Sequence, residues 1–443
     1  MARKCILIVL DGLGDRSYPE FAGKTPLEAA HTPTLDEFAR RGANGLFHAG
    51  HVGTPFSSEN AHFPLFGYDQ CDFPGRGALE ALGAGVDLAA DDVALLAHFV
   101  CLHERPEGVL LEQDDPKAED IFYARLASQL EPFHHDGMTA SFHRTKGRFG
   151  IIQLSGKPSV HITDTNPMVD GRFVSDIQPW AGLDPEEARI AHQTAECVRE
   201  YLTYIHHALR DVPENIMRTE SGLPPVNGMV TQRAGRLKTV MPFSHRFGLR
   251  GGLIASGSMY RGMGKYLGMQ VLDQIQDHDP EVELAGRLQL AASLLDDFDF
   301  LHVHTKAPDQ AAHRKDPLCK KNVIEALDKA IGRSAGALVD NPDVLVIVTA
   351  DHSTPSRGPL IHSGEPTPVV MLGEGVRCDR VKRFSEIDSA AGVLGLVRGT
   401  ELFHLVLNHL ECATLTGIRD TPEAVLFWPG RYQPFRFSTR GDS

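Results

Sequence analysis

Three short apolar runs, Cys5–Leu10, Phe300–Thr305 and Val344–Thr349, each pass without a break into a cluster of acids, histidines or serines. A run of Ile, Val and Leu too short for a helix and lacking polar alternation is the pattern of a strand buried on both faces, and such strands belong to parallel sheets covered by helices. Longer helical patterns lie between them. Pro185–Arg210 carries Ile190, Val198, Leu202, Ile205 and Leu209 on one stripe, and Glu281–Asp297 carries Leu284, Leu288, Ala291 and Leu295 before the run at 300. The alternation predicts an α/β fold, a mostly parallel sheet flanked by helices. Residues 100–180 differ, with hairpin-like pieces at Phe149–Leu154 and Val160–Thr163 among His, Gly and Pro. Arg210–Pro225 is turn-rich and polar, the pattern of a hinge or connection. A single core stops growing at about 250–300 residues, and the chain has 443. The expected organisation is an α/β domain from 1–85 and 226–443, with an inserted α+β unit and its connecting helix at 86–225.

Lys and Arg number 44 against 58 Asp and Glu, a net charge of −14. That balance opposes wrapping a phosphate backbone, so no nucleic-acid partner is expected. No apolar run approaches the roughly 18–20 residues of a membrane span. The apolar start ends at Asp11-Gly12 without a small-residue cleavage site, which reads as a first strand and makes the cytoplasm the expected location. The seven cysteines, at 5, 71, 101, 197, 319, 378 and 412, are scattered and never spaced C-x-x-C. A disulfide framework and a thiolate zinc site are therefore not expected, and any metal must be held by oxygen and imidazole.

Four polar clusters follow predicted strands or open helices: Asp11-Gly12; Pro55–His62, with Ser57, Ser58 and Glu59; Lys306–His313, with Asp309; and Asp351-His352-Ser353-Thr354, with His362 soon after. In open α/β sheets, ligands bind outside the carboxyl ends of the strands. Three aspartates converging there would repel one another strongly unless cations intervened, and the accompanying histidines complete an N/O ligand set. Asp309 and His313 are four apart, on one helix face. Asp-Gly alone is commonly a turn, and Asp-x-x-x-His alone is commonly a solvated helix face. Together and in this order, Asp11, Ser58, Asp309, His313, Asp351, His352 and His362 supply enough donors for two metals, an arrangement suited to in-line phosphoryl displacement.

The combination resembles the alkaline phosphatase superfamily, and within it the archaeal-type 2,3-bisphosphoglycerate-independent phosphoglycerate mutase family. The resemblance is carried by Leu10-Asp-Gly-Leu-Gly-Asp-Arg16, Gly23–Ala30, Thr32–Asp36, Ala61-His62 with Leu65–Asp69, Gly75-Arg76-Gly77, Gly222–Pro225, Arg233-Ala234-Gly235 and Tyr260–Gly264, together with the clusters at 306 and 351. It spans most of 1–90 and 220–375. It implies an alkaline-phosphatase-like sheet with a cap domain and a glycolytic isomerase that interconverts 3- and 2-phosphoglycerate through a phosphoserine. Two divalent ions are implied, Mn²⁺ or Zn²⁺ ahead of Mg²⁺. Ser58 is then the nucleophile, with Ser57 its local competitor. Asp11, Ser58, Asp351 and His352 hold one metal, and Asp309, His313 and His362 the other. Candidate substrate-binding groups are Lys24, Arg76, Arg148, Asp164, Arg233, Arg261 and Lys306, with Lys265 a further cation and Lys306 the best placed. The chain departs from the family pattern at Glu59-Asn60, Asn166 and Arg261.

Other readings compete. A two-metal phosphatase or phosphonate hydrolase of the same superfamily, acting on another small anion, needs the same ligands. An NAD-dependent dehydrogenase is suggested by Gly12-Leu13-Gly14 but opposed by Ser17 in place of the third glycine and by Asp15 where a pyrophosphate would lie. A non-catalytic binding protein predicts gaps among the seven ligand positions, and there are none.

Overall fold

The computed structural model describes residues 3–272 and 277–437. These form two compact units: Met1–Phe73 with Val240–Ser256 and Leu267–Ser443, and Pro74–Thr239 with Gly257–Tyr266.

The first unit is built on an eight-stranded sheet. In spatial order its strands are Gln270–Val271, Gly251–Ile254, Phe300–Thr305, Lys4–Leu10, Val344–Thr349, Thr367–Leu372, Ala43–His48 and Gly395–Arg398. All neighbours are parallel except Thr367–Leu372, which runs against both of its partners. The three apolar runs lie side by side as expected, because covering both faces of the sheet lets each of their residues be buried. Ile6, Ile8 and Leu10 pack with Val303, Val346 and Val348 against Leu284 and Leu288 of helix Pro280–Ser293 and Ile324, Leu327 and Ile331 of helix Pro317–Ser334. The first of these helices stops short of 297, where Asp296 and Asp297 would meet the negative end of its dipole. Toward the opposite face, the His302 ring stands edge-on to Phe66, 5.0 Å away, just past helix Ser58–Leu65.

Register places the site. Leu10 pairs with Thr305 and Val9 with Thr349. Three parallel strands therefore end at one level, and Asp11, Lys306 and Asp351 emerge from a common edge.

The second unit is antiparallel. Its sheet runs Phe133–His135, Met138–Lys146, Phe149–Ser155, Val93–Arg105, Gly108–Gln113 and Arg172–Phe173, and Gly228–Gly235 also pairs with the long strand Val93–Arg105. Helix Pro185–Arg210 has the bounds its periodicity predicts, and buries Val198, Tyr201, Ile205 and Leu209 with Leu95, Ala97 and Phe99. Helix Arg76–Ala84 goes with this unit because it packs on the strands at 93 and 228.

Two local expectations fail. Val160–Thr163 is not a strand but a single bridge, Ile162 to Pro179. The N–H groups that would extend the ladder are taken by side chains, Gln178 N–H by Thr163 Oγ1 and His161 N–H by Ser159 Oγ. Arg210–Pro225 is not an open connection, because it contains helix Pro213–Glu220 inside the second unit. The buried Asn215 amide donates to Leu209 O and Val226 O and locks that segment. All seven cysteines are free thiols.

Candidate metal centre

Asp11 follows the central strand, and its N–H donates to Thr305 O of the neighbouring strand. Gly12 then turns with φ +68°, a left-handed conformation that favours glycine, and its N–H donates to Asp351 Oδ1 at 3.1 Å. Asp309 lies in the short helix Ala307–His313, and Asp351 and His352 follow the strand Val344–Thr349. Ser58 is the first residue of helix Ser58–Leu65, where the amides of the first turn have no intrahelical acceptor.

These residues converge. His352 Nε2 lies 3.1 Å from Ser58 Oγ, 3.3 Å from Asp351 Oδ2 and 3.5 Å from Asp11 Oδ1. Asp309 Oδ1 is met by His313 Nε2 at 3.1 Å and by His362 Nε2 at 3.5 Å. The rings of His352 and His362 stack with centroids 3.7 Å apart. Two donor groups result, one of Asp11, Asp351 and His352, the other of Asp309, His352 and His362, each with atoms within 4.8 Å of one another. His352 is thus common to both groups, although the family pattern assigns it to one. Ser58 joins the first through His352, and His313 the second through Asp309.

The donor set fits divalent cations. Asp11, Asp309 and Asp351 are buried together, and Asp309 Oδ2 and Asp351 Oδ2 accept no hydrogen bond among the described residues. Burial pushes the Asp351 carboxyl up to about 7, reinforced by the charge of Asp11. Burial also pushes Asp11 and Asp309 upward but is outweighed: Lys306 with His304 and His352 holds Asp11 below the ordinary range, and His313, His362 and Lys306 do so for Asp309. Burial lowers His352 to about 4, so its imidazole is neutral near pH 7 and can ligate. The Lys306 ammonium lies 3.5 Å from Asp309 Oδ2 and 3.8 Å from Asp11 Oδ2, supplying positive charge between the two acids.

The other anticipated substrate-binding groups are distributed more widely. Lys24 is an exposed residue of a turn in the first unit. Arg76, Arg148, Asp164, Arg233, Arg261 and Lys265 all belong to the second unit. There Arg76 pairs with Glu80 at 3.2 Å, and Lys265 donates to Leu82 O. Arg148 is held by Asp114 at 2.9 Å and lies over the Phe149 ring. Asp164 accepts the backbone N–H of Arg233 at 2.7 Å.

Two further histidines border the site, His304 outside every motif and His62 inside one but without an assigned role. His304 Nε2 lies 3.0 Å from Asp11 Oδ2, and His62 Nδ1 lies 3.6 Å from Asp351 Oδ2. The signal for His304 was its alternation with His302 in an otherwise apolar strand, which places two imidazoles on one face. Thr354 stood within the fourth polar cluster but was given no role, and Lys320 carried no signal, because only the fold brings it here.

A buried cluster of carboxylates and imidazoles at the carboxyl ends of parallel strands is the site of a metalloenzyme. The match to the metalloenzyme superfamily accordingly runs over residues 3–409. Within it the chain belongs to the 2,3-bisphosphoglycerate-independent phosphoglycerate mutase family. It is 36% identical over 424 residues to phosphoglycerate mutase 2 of that type from Methanocaldococcus jannaschii, covering 94% of this chain and 95% of the relative. It is likewise 36% identical over 413 residues to the Methanopyrus kandleri mutase, covering 92% and 96%. Among solved structures, a Pyrococcus horikoshii protein aligns with a TM-score of 0.74 at 28% identity, over 94% of this chain and 100% of that one. The cofactor-independent phosphoglycerate mutase of Thermoplasma acidophilum aligns at 0.62 and 28%, over 92% and 100%.

Proposed function

We propose that this chain is a cytoplasmic, cofactor-independent phosphoglycerate mutase that moves a phosphoryl group between the 3- and 2-hydroxyls of glycerate through a phosphoserine at Ser58. The observation that carries the reading is the Ser58 hydroxyl, buried at a helix start and 3.1 Å from His352 Nε2, inside the donor cluster. Ser58 Oγ attacks the substrate phosphorus, the bond from phosphorus to the glycerate oxygen breaks, and that oxygen takes up a proton as the serine loses one. The other glycerate hydroxyl then attacks the phosphoserine and frees Ser58. First-turn amides of helix Ser58–Leu65 face the transferring group, and Lys306 adds charge stabilisation. Two divalent ions, Mn²⁺ or Zn²⁺, one at Asp11, Ser58, Asp351 and His352 and one at Asp309, His313 and His362, would offset the carboxylate charge and act as Lewis acids. The second unit serves as the cap, with Arg76, Arg233 and Arg261 offered to substrate anions and Asp164 holding the Arg233 backbone.

The test is phosphorus NMR of Mn²⁺-loaded protein with 3-phosphoglycerate in ¹⁸O water. Formation of 2-phosphoglycerate without ¹⁸O in its phosphate is the expected result. Release of labelled inorganic phosphate as the main product would replace this reading with the related hydrolase.

A further inference from the structure

We propose that Thr354 is a positioning residue whose hydroxyl sets the tautomer of His352 and ties that ring to Asp309, so that one side chain orients both donor groups. The proposal rests on reading Asp11, Asp309, Asp351, His352 and His362 as metal ligands. Thr354 is fully buried and belongs to neither donor group. Its Oγ1 lies 2.9 Å from Asp309 Oδ1 and 3.1 Å from His352 Nδ1. A threonine hydroxyl has one proton to give, and an ionised carboxylate can only accept. The proton therefore goes to Asp309, and the remaining contact forms only if His352 Nδ1–H donates to Thr354 Oγ1. That leaves the lone pair of His352 on Nε2, the nitrogen that faces Ser58, Asp351 and Asp11. The opposite tautomer would set a nitrogen lone pair against the hydroxyl oxygen and present an N–H where a cation is to bind.

The surrounding backbone holds the hydroxyl in place. Thr354 N–H donates to Gly14 O at 2.9 Å, and the buried Lys320 ammonium donates to both Thr354 O and Gly14 O at 2.9 Å. The loop carrying Asp11 and the loop carrying His352 are thus pinned together behind the site. Gly12 completes the fit, since a Cβ there would stand 2.6 Å from Thr354 Oγ1.

The test combines ¹⁵N-histidine NMR of metal-free protein with Mn²⁺-binding isotherms. In the wild type, His352 (assigned by its loss in His352→Ala) is expected as the Nδ1–H form. Thr354→Val keeps the shape and removes the hydroxyl, and is expected to weaken Mn²⁺ binding about 10–100-fold, the range for lost outer-shell partners of metal ligands. Thr354→Ser is expected to restore both binding and tautomer. An Nε2–H form in the wild type overturns the proposal, as does wild-type affinity in Thr354→Val or a Thr354→Ser as impaired as the valine. If the valine variant does not fold, the wild-type spectrum and the serine variant still decide. Undiminished Mn²⁺ binding by His352→Ala refutes the ligand reading instead, whatever the tautomer.

Discussion

Replacing Lys320 with methionine is expected to destabilise the first unit by about 3 kcal/mol. Lys320 lies in helix Pro317–Ser334 with no exposed side-chain surface, and its ammonium is 3.2 Å from Asp15 Oδ2, which is equally buried. Methionine fills most of the aliphatic stem, so the loss is chiefly electrostatic. Removing one partner of a buried pair costs about 3–5 kcal/mol, because the other charge is left uncompensated. Here the lower end applies, since Asp15 keeps the Tyr18 hydroxyl at 2.6 Å, the Ser356 hydroxyl at 2.5 Å and the Arg16 amide at 2.7 Å. For a unit of this size each kcal/mol lowers the midpoint by about 2–4 °C, so calorimetry of metal-free protein should show a fall of about 6–12 °C. Adding Asp15→Asn removes the stranded charge, and the double variant should be more stable than Lys320→Met alone. A fall below about 2 °C for the single variant, or strictly additive effects in the pair, would refute the reasoning.

Ser58→Ala should abolish phosphoryl transfer while the circular dichroism spectrum and at least one equivalent of metal persist; activity lost in Ser57→Ala but kept in Ser58→Ala would show that the neighbouring hydroxyl is the nucleophile. Asp309→Ala should lose about one equivalent of metal by elemental analysis, since it removes one of two donor groups; full occupancy would contradict the two-site assignment. Metal binding must displace the proton from Asp351, whose carboxyl is raised to about 7. Below that pH the ligand is protonated, so Mn²⁺ affinity should be at least about tenfold weaker at pH 5.5 than at pH 7.5. For the same group, the metal-free fold loses stability as pH rises from the ordinary carboxylate range to about 7, because the unfolded chain ionises first. Added metal should remove that loss, as urea titrations with and without Mn²⁺ can measure.

Much of the first unit was legible in local pattern. Strands buried on both faces have no polar alternation to confuse them, and the runs at 300 and 344 have the expected bounds. The 26-residue helix from Pro185 could be read because one stripe of apolar residues persists over many turns and Asp184 caps its start. Local pattern failed at Val160–Thr163, where the hydroxyls of Thr163 and Ser159 take the N–H groups that would extend a ladder, and at Pro213–Glu220, where a polar helix is held by the tertiary hydrogen bonds of Asn215.

The chain by itself determined which residue types gather at strand ends: acids and imidazoles placed after apolar runs that must be central. It could not determine which of them share an atom's neighbourhood. Parallel register decided that, by ending the strands at 4, 300 and 344 on one level and bringing residues roughly 300 positions apart within hydrogen-bond reach. The same register placed His352 between both donor groups, brought the Thr354 hydroxyl to Asp309 and buried Lys320 beneath the two loops. Contacts of this kind leave no mark in periodicity or spacing, because their physical cause is the packing of distant segments.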